Sequence, residues 1–257
     1  MSSEEPARCI AMKRKAGLLD EPTHVQPKVR KKMKQAKASE AKFEKNVLLL
    51  SVLGFHEVTR YIMLEVDAEE SVAAAAAADD APHTSTRFKN CALQTLQHTT
   101  EFFLRDIVED VRDDVIHSKP CRKRATTEDF IRVEAALRPG ARSQNSKKLR
   151  QAWRKYCGDA AGHVDMRNKC KRLSEKGFNR ILQCGKSFQV KRGDSKSARE
   201  SVPDYLRFAT SCFVRDVLRA SGFVMRLRTH GGQRYCMRSD DIKKGVKQAF
   251  GRIAYEA

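Results

Sequence analysis

Several signatures of catalysis and of metal binding are absent from this chain of 257 residues. It has no glycine-rich phosphate loop, no nucleophile elbow and no HExxH motif, so no familiar enzyme chemistry is indicated. Its eight cysteines form no CxxC pair, and the spacing of Cys157, His163 and Cys170 matches no zinc class. The sequence therefore predicts a protein that is not an enzyme and that requires no metal ion or other cofactor.

Long apolar runs are also missing. No run reaches the roughly 18 residues that a membrane-spanning helix requires, and the first residues lack the apolar core of a secretory signal. We therefore expect a soluble intracellular protein whose thiols stay reduced.

What the sequence has in excess is positive charge. Its 51 lysines and arginines outnumber 32 aspartates and glutamates, which gives a formal net charge of +19. Such a balance favours a polyanionic partner, because basic side chains displace counterions from phosphates. Residues 1–45 contain the clusters Lys13–Lys15 and Lys28–Lys37 and are predicted to form a disordered basic tail. That tail could neutralise phosphates, act as a nuclear import signal, or simply be solvated.

The stretch "RFKNCALQTLQHTTEFFLRDIVEDVRDDVIHSK" at residues 87–119 predicts one helix about twice the usual length. Its apolar residues recur at steps of three and four. Before it, residues 46–64 predict one or two short helices broken near Gly54, followed by an acidic, alanine-rich insert at about 67–85 that we interpret as a loop without a core role. After it, Thr126 or Thr127 is predicted to cap a short helix from about Glu128 to Leu137.

The second half repeats this order. It predicts a short helix capped by Ser174, a long helix that starts at Pro203, and a short helix capped by Ser239. Phe103–Ile107 parallels Phe213–Val217 in sequence. A second parallel is the seven-residue spacing of Arg122 and Asp129, which recurs in Arg234 and Asp241; we expect each arginine to tie its loop to the following helix. Residues 139–171 are interpreted as a linker with some helical content.

Short helix, loop, long helix, loop, short helix is the order of the histone fold, and specific residues extend this likeness. Residues 46–138 resemble core histone three in "LGFHEVTRYI" (53–62) and, without a gap, in residues 87–119. The shared residues of the long stretch are Arg87, Phe88, Ala92, Leu96, Gln97, Glu101, Leu104, Glu109, Asp110, Ile116, His117 and Lys119. Residues 172–257 resemble core histone four, less closely, in "LSEKGFNRIL" (173–182), "VKR" (190–192), "FVRDVL" (213–218) and "VKQAFGRIAY" (246–255).

This resemblance implies an all-α chain in which two tandem histone folds clasp head to tail as an intramolecular handshake dimer. Such a fusion is similar to the histone doublets of large DNA viruses of eukaryotes. In histones, loop arginines enter the minor groove while neighbouring cations contact phosphates. By resemblance, Arg87 and Arg192 are the minor-groove residues; the less favoured alternative for each is a solvated surface cation. The expected phosphate neighbours are Arg60, Lys89, Lys119, Arg122, Lys191 and Arg234.

The resemblance also implies self-association. His117 and Asp129 match residues at the contact between two copies of histone three, and Asp114 stands where that family has a cysteine beside the contact. Two doublets per particle are therefore expected, with a second histone pair or doublet as a further partner. Ser51 replaces a DNA-contacting arginine. The residues that dock the second pair in histones are replaced here by Ala220, Phe223 and Lys244.

The implied function is wrapping of double-stranded DNA, without sequence specificity, as the central part of a nucleosome-like particle that compacts a viral genome or chromatin. The implied location is the nucleus or a viral factory of the host cell, with packaging into the virion as an option. The alternative is a paired histone-fold subunit of a transcription or kinetochore complex that acts mainly through protein contacts. Such a subunit need not keep Arg87 and Arg192.

Overall fold

A computed structural model describes residues 48–76, 86–117, 124–158, 161–184, 189–190, 201–229 and 236–251. The predicted basic tail, residues 1–45, lies outside these ranges. The side chains of residues 73–76, 161–163, 184 and 189–190 are likewise not described.

The described chain is built of helices, with four two-residue strands between them, so the prediction of an all-α fold is confirmed. The helices of the first half are α1 (Val52–Ala76), α2 (Asn90–Ile116) and α3 (Thr127–Leu137). Two further helices follow, α4 (Arg142–Cys157) and α5 (Ala161–Cys170). The second half contains α6 (Glu175–Cys184), α7 (Val202–Thr229) and α8 (Ser239–Phe250). The strands are β1 (Arg87–Phe88), β2 (Arg124–Ala125), β3 (Gln189–Val190) and β4 (Cys236–Met237).

The long helices α2 and α7 cross at equivalent residues of the two halves. Phe103 of α2 stacks on Phe213 of α7, with ring centroids 4.3 Å apart and planes inclined by 21°. A residue that contacts its own counterpart lies close to an axis of two-fold pseudosymmetry. The two halves therefore bury their long helices against each other in one shared core.

The strands connect the two halves crosswise. β1 pairs in parallel with β4, and β2 pairs in parallel with β3. The loop before each long helix is thus joined to the loop after the other long helix. Because β1 precedes α2 and β2 follows it, the two strand pairs lie at opposite ends of this helix.

The first helix, α1, has 25 residues and differs in two ways from the short helix or helices predicted there. The predicted break near Gly54 is wrong, because α1 is continuous from Val52 to Ala76. Gly54 instead allows close contact with the second half: a Cβ atom built on it would lie 2.6 Å from the carbonyl oxygen of Arg172.

The prediction of a loop from residue 67 is also wrong as far as Ala76, since α1 extends through this segment. Carboxylates of the extension pair with α7: Glu69 contacts Arg215 and Arg219, and Glu70 contacts Arg226. The side chain of Asp67 accepts hydrogen bonds from the amide and hydroxyl of Thr86, at 3.2 and 3.1 Å. The remainder of the insert, residues 77–85, lies outside the described residues.

Similar caps begin α3 and α8, the short helices that follow the two long ones. Thr126 precedes α3, and its amide donates to the Asp129 carboxylate at 2.9 Å. Arg238 precedes α8, and its amide donates to the Asp241 carboxylate at 2.9 Å. The prediction that Ser239 caps α8 is therefore wrong by one residue.

Within the described chain, other arginines contact these two aspartates, and the predicted pairs with Arg122 and Arg234 stay predictions. Arg228 at the end of α7 donates two hydrogen bonds to Asp241, at 3.0 and 2.9 Å. Asp129 instead accepts from Arg132 of its own helix. The predicted partners, Arg122 and Arg234, lie outside the described residues.

The segment between the two halves does contain helix, and it packs on the core. Leu149, Trp153 and Tyr156 of α4 are buried. Trp153 meets Tyr205 of α7 edge-on, with centroids 5.3 Å apart. In α5, Asp165 accepts a hydrogen bond of 2.6 Å from the Tyr61 hydroxyl, which ties this segment to α1. No helix in the described ranges is long and apolar enough to cross a membrane.

Candidate nucleic-acid interface

Exposed cations occupy the end of the molecule formed by β1 and β4. Arg87 lies in β1, and Lys89 follows it as the N-cap residue of α2; both side chains are exposed. The Lys89 amide donates to the Met237 carbonyl at 3.1 Å, which fixes Lys89 beside β4. The hydroxyls of Thr95 and Ser239 are 2.6 Å apart, so the starts of α2 and α8 also meet here.

The start of α2 is well suited to an anion. Lys89 provides no side-chain cap, although the first amide groups of a helix need acceptors. A cation at this position opposes the helix dipole, and this repulsion is relieved when a phosphate binds between them. This end of the molecule therefore combines two exposed cations with a helix start that the Lys89 side chain does not cap.

The opposite end, formed by β2 and β3, has a similar arrangement. Arg124 in β2 is exposed, and its neighbour Ala125 is buried against the core. Lys191 and Arg192 follow β3 directly in the sequence but lie outside the described residues, as do Lys119, Arg122 and Arg234. The prediction of DNA contacts at those five positions therefore stays a prediction.

Between the two ends, the starts of α1 and α6 meet beside the middle of α2. The Glu101 carboxylate of α2 accepts hydrogen bonds from the amides of Leu49 and Leu50, at 2.7 and 2.8 Å. A Cβ atom on Gly177 of α6 would lie 3.2 Å from the carbonyl oxygen of Leu49. Arg60 is exposed further along α1. Three sites are thus spaced along one helix of about 40 Å.

The cations at these sites differ from most arginines of the long helices. No carboxylate of the described chain pairs with Arg60, Arg87, Lys89 or Arg124. By contrast, ion pairs with carboxylates of α1 or α8 engage Arg215, Arg219, Arg226 and Arg228 of α7. Positive charge is therefore neutralised along α7 and left available at the ends of the molecule.

Two of the residues predicted at the self-association contact are linked to each other. The Arg132 guanidinium contacts both Asp114 and Asp129. Asp129 is only 2% exposed because it also caps α3. His117, at the end of α2, is exposed, and its Nδ1 lies 2.8 Å from the Asp113 carbonyl oxygen. The adjacent Ile116 is 44% exposed.

Sequence reasoning missed Arg124. The run "RKR" at residues 122–124 was visible, but the sequence alone does not tell which of the three lies in the strand. The residue that places Arg124 in the strand is Ala125. Its small apolar side chain is buried, and it pairs with Val190 of β3.

No family model matches the chain, and no curated protein matches its sequence. Among the described side chains, no group of three or more histidine, cysteine, aspartate or glutamate residues could hold a metal ion.

Proposed function

We propose that the chain is a fused pair of histone folds, similar to core histones three and four, that binds duplex DNA without reading its sequence. The observation that carries this proposal is the crosswise pairing of β1 with β4 and of β2 with β3. It gathers the two loops at each end of the molecule, where Arg87, Lys89 and Arg124 are exposed and have no carboxylate partner in the described part of the chain. The stacked pair of Phe103 and Phe213 supports the pseudo-two-fold relation that a handshake dimer requires.

The spacing of the two ends supports wrapping rather than simple coating. The helix between them, α2, is about 40 Å long. One turn of duplex DNA is about 34 Å. Cations at the two ends can therefore meet successive inward-facing minor grooves on the same side of a bent duplex. This mode of binding uses the DNA backbone and its deformability, and it carries little base specificity.

Self-association of two copies through the end of α2 is part of this proposal. Ile116 and His117 are exposed there, next to the ion pairs of Arg132 with Asp114 and Asp129. Phe223 and Leu227 on α7 form an exposed apolar pair, and this pair offers a place for a further histone pair. The particle would compact viral DNA or chromatin, in the nucleus, a viral factory or the virion.

The proposal is tested by nuclease digestion of DNA reconstituted with the protein by salt dialysis. We expect a discrete protected fragment that is clearly shorter than the roughly 146 base pairs of a complete octamer. The double variant Arg87→Ala, Arg192→Ala should lose this fragment, because it removes the arginines expected in the minor groove. The matched control is Arg219→Ala, Arg226→Ala, which removes the same charge from residues already paired with α1, and it should retain the fragment.

A featureless digest of the wild-type complex would contradict the proposal, since it would mean that positive charge merely coats the DNA. In that case, tight binding of one specific protein would favour the alternative function, a histone-fold subunit that acts through protein contacts. Equal loss of the fragment in both double variants would reduce the role of Arg87 and Arg192 to net charge.

A further inference from the structure

The helix α4, between the two halves, has two chemically distinct faces. Leu149, Trp153 and Tyr156 lie on one face and are buried. Tyr156 and Trp153 both contact Phe208 of α7, with ring centroids 5.3 and 5.4 Å apart. These aromatic contacts fix the rotation of α4 about its own axis, so its opposite face is held towards solvent.

That opposite face is basic. Its exposed cations form two pairs whose members are seven residues, or about two helical turns, apart: Lys147 with Arg154, and Lys148 with Lys155. The helix contains no aspartate or glutamate, and none of these four side chains pairs with a carboxylate of the described chain. The one cation of α4 with a carboxylate partner there is Arg150, which contacts Glu128 of α3.

The contacts of α4 with α3 show which way it points. Asn145 donates hydrogen bonds to the carbonyls of Arg138 and Pro139, at the end of α3. Arg150 reaches Glu128, at the start of α3. The two helices are therefore antiparallel, and Arg154 and Lys155 extend about 6 Å or more beyond Glu128. This direction leads to β2, which immediately precedes the cap of α3.

We propose that the basic face of α4 binds DNA phosphates and extends the β2–β3 end of the interface. This inference rests on the proposed function, because the duplex that it extends is the one bound at the strand pairs. The surface fits a phosphate backbone by charge complementarity: four cations that have no carboxylate partner among the described residues lie along one side of a helix, and two of them stand at its C-terminus, where the dipole favours cations. The segment that joins the two halves would then have a binding role of its own.

The test is the salt dependence of binding of the full chain to random-sequence duplex DNA. The triple variant Lys147→Gln, Lys148→Gln, Lys155→Gln should reduce the slope of log K against log salt by up to about 2.7, since each phosphate contact contributes roughly 0.9. The matched control is Lys171→Gln, Lys243→Gln, Lys247→Gln, which removes three exposed lysines outside α4 and should change the slope much less. Equal thermal melting of the three proteins establishes that folding is intact.

Hydroxyl-radical footprinting of the same complexes locates the effect. The α4 variant should lose protection only next to the β2–β3 end. Equal changes of slope in both triple variants, or no change in the α4 variant, would overturn the inference. In either case a retained nuclease fragment that depends on Arg87 leaves the proposed function intact. If the wild-type complex gave no protected fragment, the proposed function and this inference would both be overturned.

Discussion

At the scale of single residues, two buried carboxylates connect separate segments: Glu101 of α2 binds the residues that precede α1, and Glu134 links α3 to α7. Glu134 of α3 is fully buried and accepts a 2.7 Å hydrogen bond from the Tyr205 hydroxyl of α7. Its other oxygen accepts from Arg138 at 2.8 Å, and Arg138 also contacts Asp216 of α7. Removing one member of such a buried pair typically costs several kcal/mol, because the other charge stays buried without a partner. These contacts hold α3 against the long helix of the other half.

Glu101 predicts a specific dependence of stability on pH. Burial raises its pKa to about 7, although hydrogen bonds from Leu49, Leu50 and Gln97 oppose the shift. The folded state therefore binds a proton more tightly than the unfolded state, whose carboxyl has a pKa of 4.5. This contribution to stability is fully present below about pH 4.5 and is lost as the pH rises through 7.

The variant Glu101→Gln isolates this contribution. Relative to wild type, its free energy of unfolding should gain on the order of 3 kcal/mol between about pH 4.5 and pH 8, because Gln does not ionise. Denaturant melts at a series of pH values measure this difference. Glu57→Gln, at an exposed carboxylate that pairs with Arg172, is the control and should show little change. A wild-type-like profile for Glu101→Gln would mean that Glu101 titrates normally.

At the scale of elements, α7 and α8 approach each other closely at Gly245. A Cβ atom on Gly245 would lie 2.1 Å from the hydroxyl oxygen of Ser221 and 2.7 Å from its amide nitrogen. The backbone atom cannot move aside as a flexible side chain would. Glycine is therefore required at position 245 by the approach of two helices, and no special backbone angle is involved.

Two Gly→Ala substitutions test this contact. Gly245→Ala should destabilise the protein by about 1–3 kcal/mol, since overpacking forces the two helices apart. Gly222→Ala should be neutral or stabilising by up to about 1 kcal/mol, because the new Cβ meets only the end of Arg226, at 3.8 Å. Equilibrium unfolding in urea compares the two. Equal destabilisation of both variants would contradict the packing argument.

Local sequence predicted the elements whose stability is local. The apolar stripe of α2, the cap at Thr126 and the short helix after Ser174 all depend on residues within a few positions of one another. The extension of α1 was missed because its partners, Arg215, Arg219 and Arg226, lie about 150 residues away. The burial of Trp153 was missed for the same reason: its partners Tyr205 and Phe208 are distant in sequence. The sequence singled out Arg87 as a candidate interface residue. Its position beside β4 could not be predicted, because its strand partner, Cys236, lies about 150 residues away.

At the scale of the whole molecule, charge is sorted by sign. The acidic extension of α1 lies on α7, and the exposed cations at the two strand pairs and on the outer face of α4 have no carboxylate partner within the described ranges. Each of these ion pairs is partly exposed and contributes little alone. Together they hold the start of the extension, where Val72 is 71% exposed.

Replacing Glu65, Glu69 and Glu70 by Gln should therefore loosen the extension without unfolding the core. Amide hydrogen exchange should accelerate within residues 67–76 and stay unchanged in the middle of α2. The thermal melting temperature should fall only slightly, because surface pairs contribute about 0–1 kcal/mol each. Glu175→Gln, at an exposed residue of α6, serves as the control. Unaltered exchange in the extension would show that helix propensity alone holds it.

The helices α4 and α5 have a consequence for assembly. Because they join the two halves covalently and pack on the shared core, the meeting of α2 and α7 is an intramolecular event with a fixed effective concentration. Two separate polypeptides would have to be synthesised in equal amounts and would dissociate on dilution. In this chain, the one-to-one ratio of the two units is encoded in a single gene and is independent of how much protein is made.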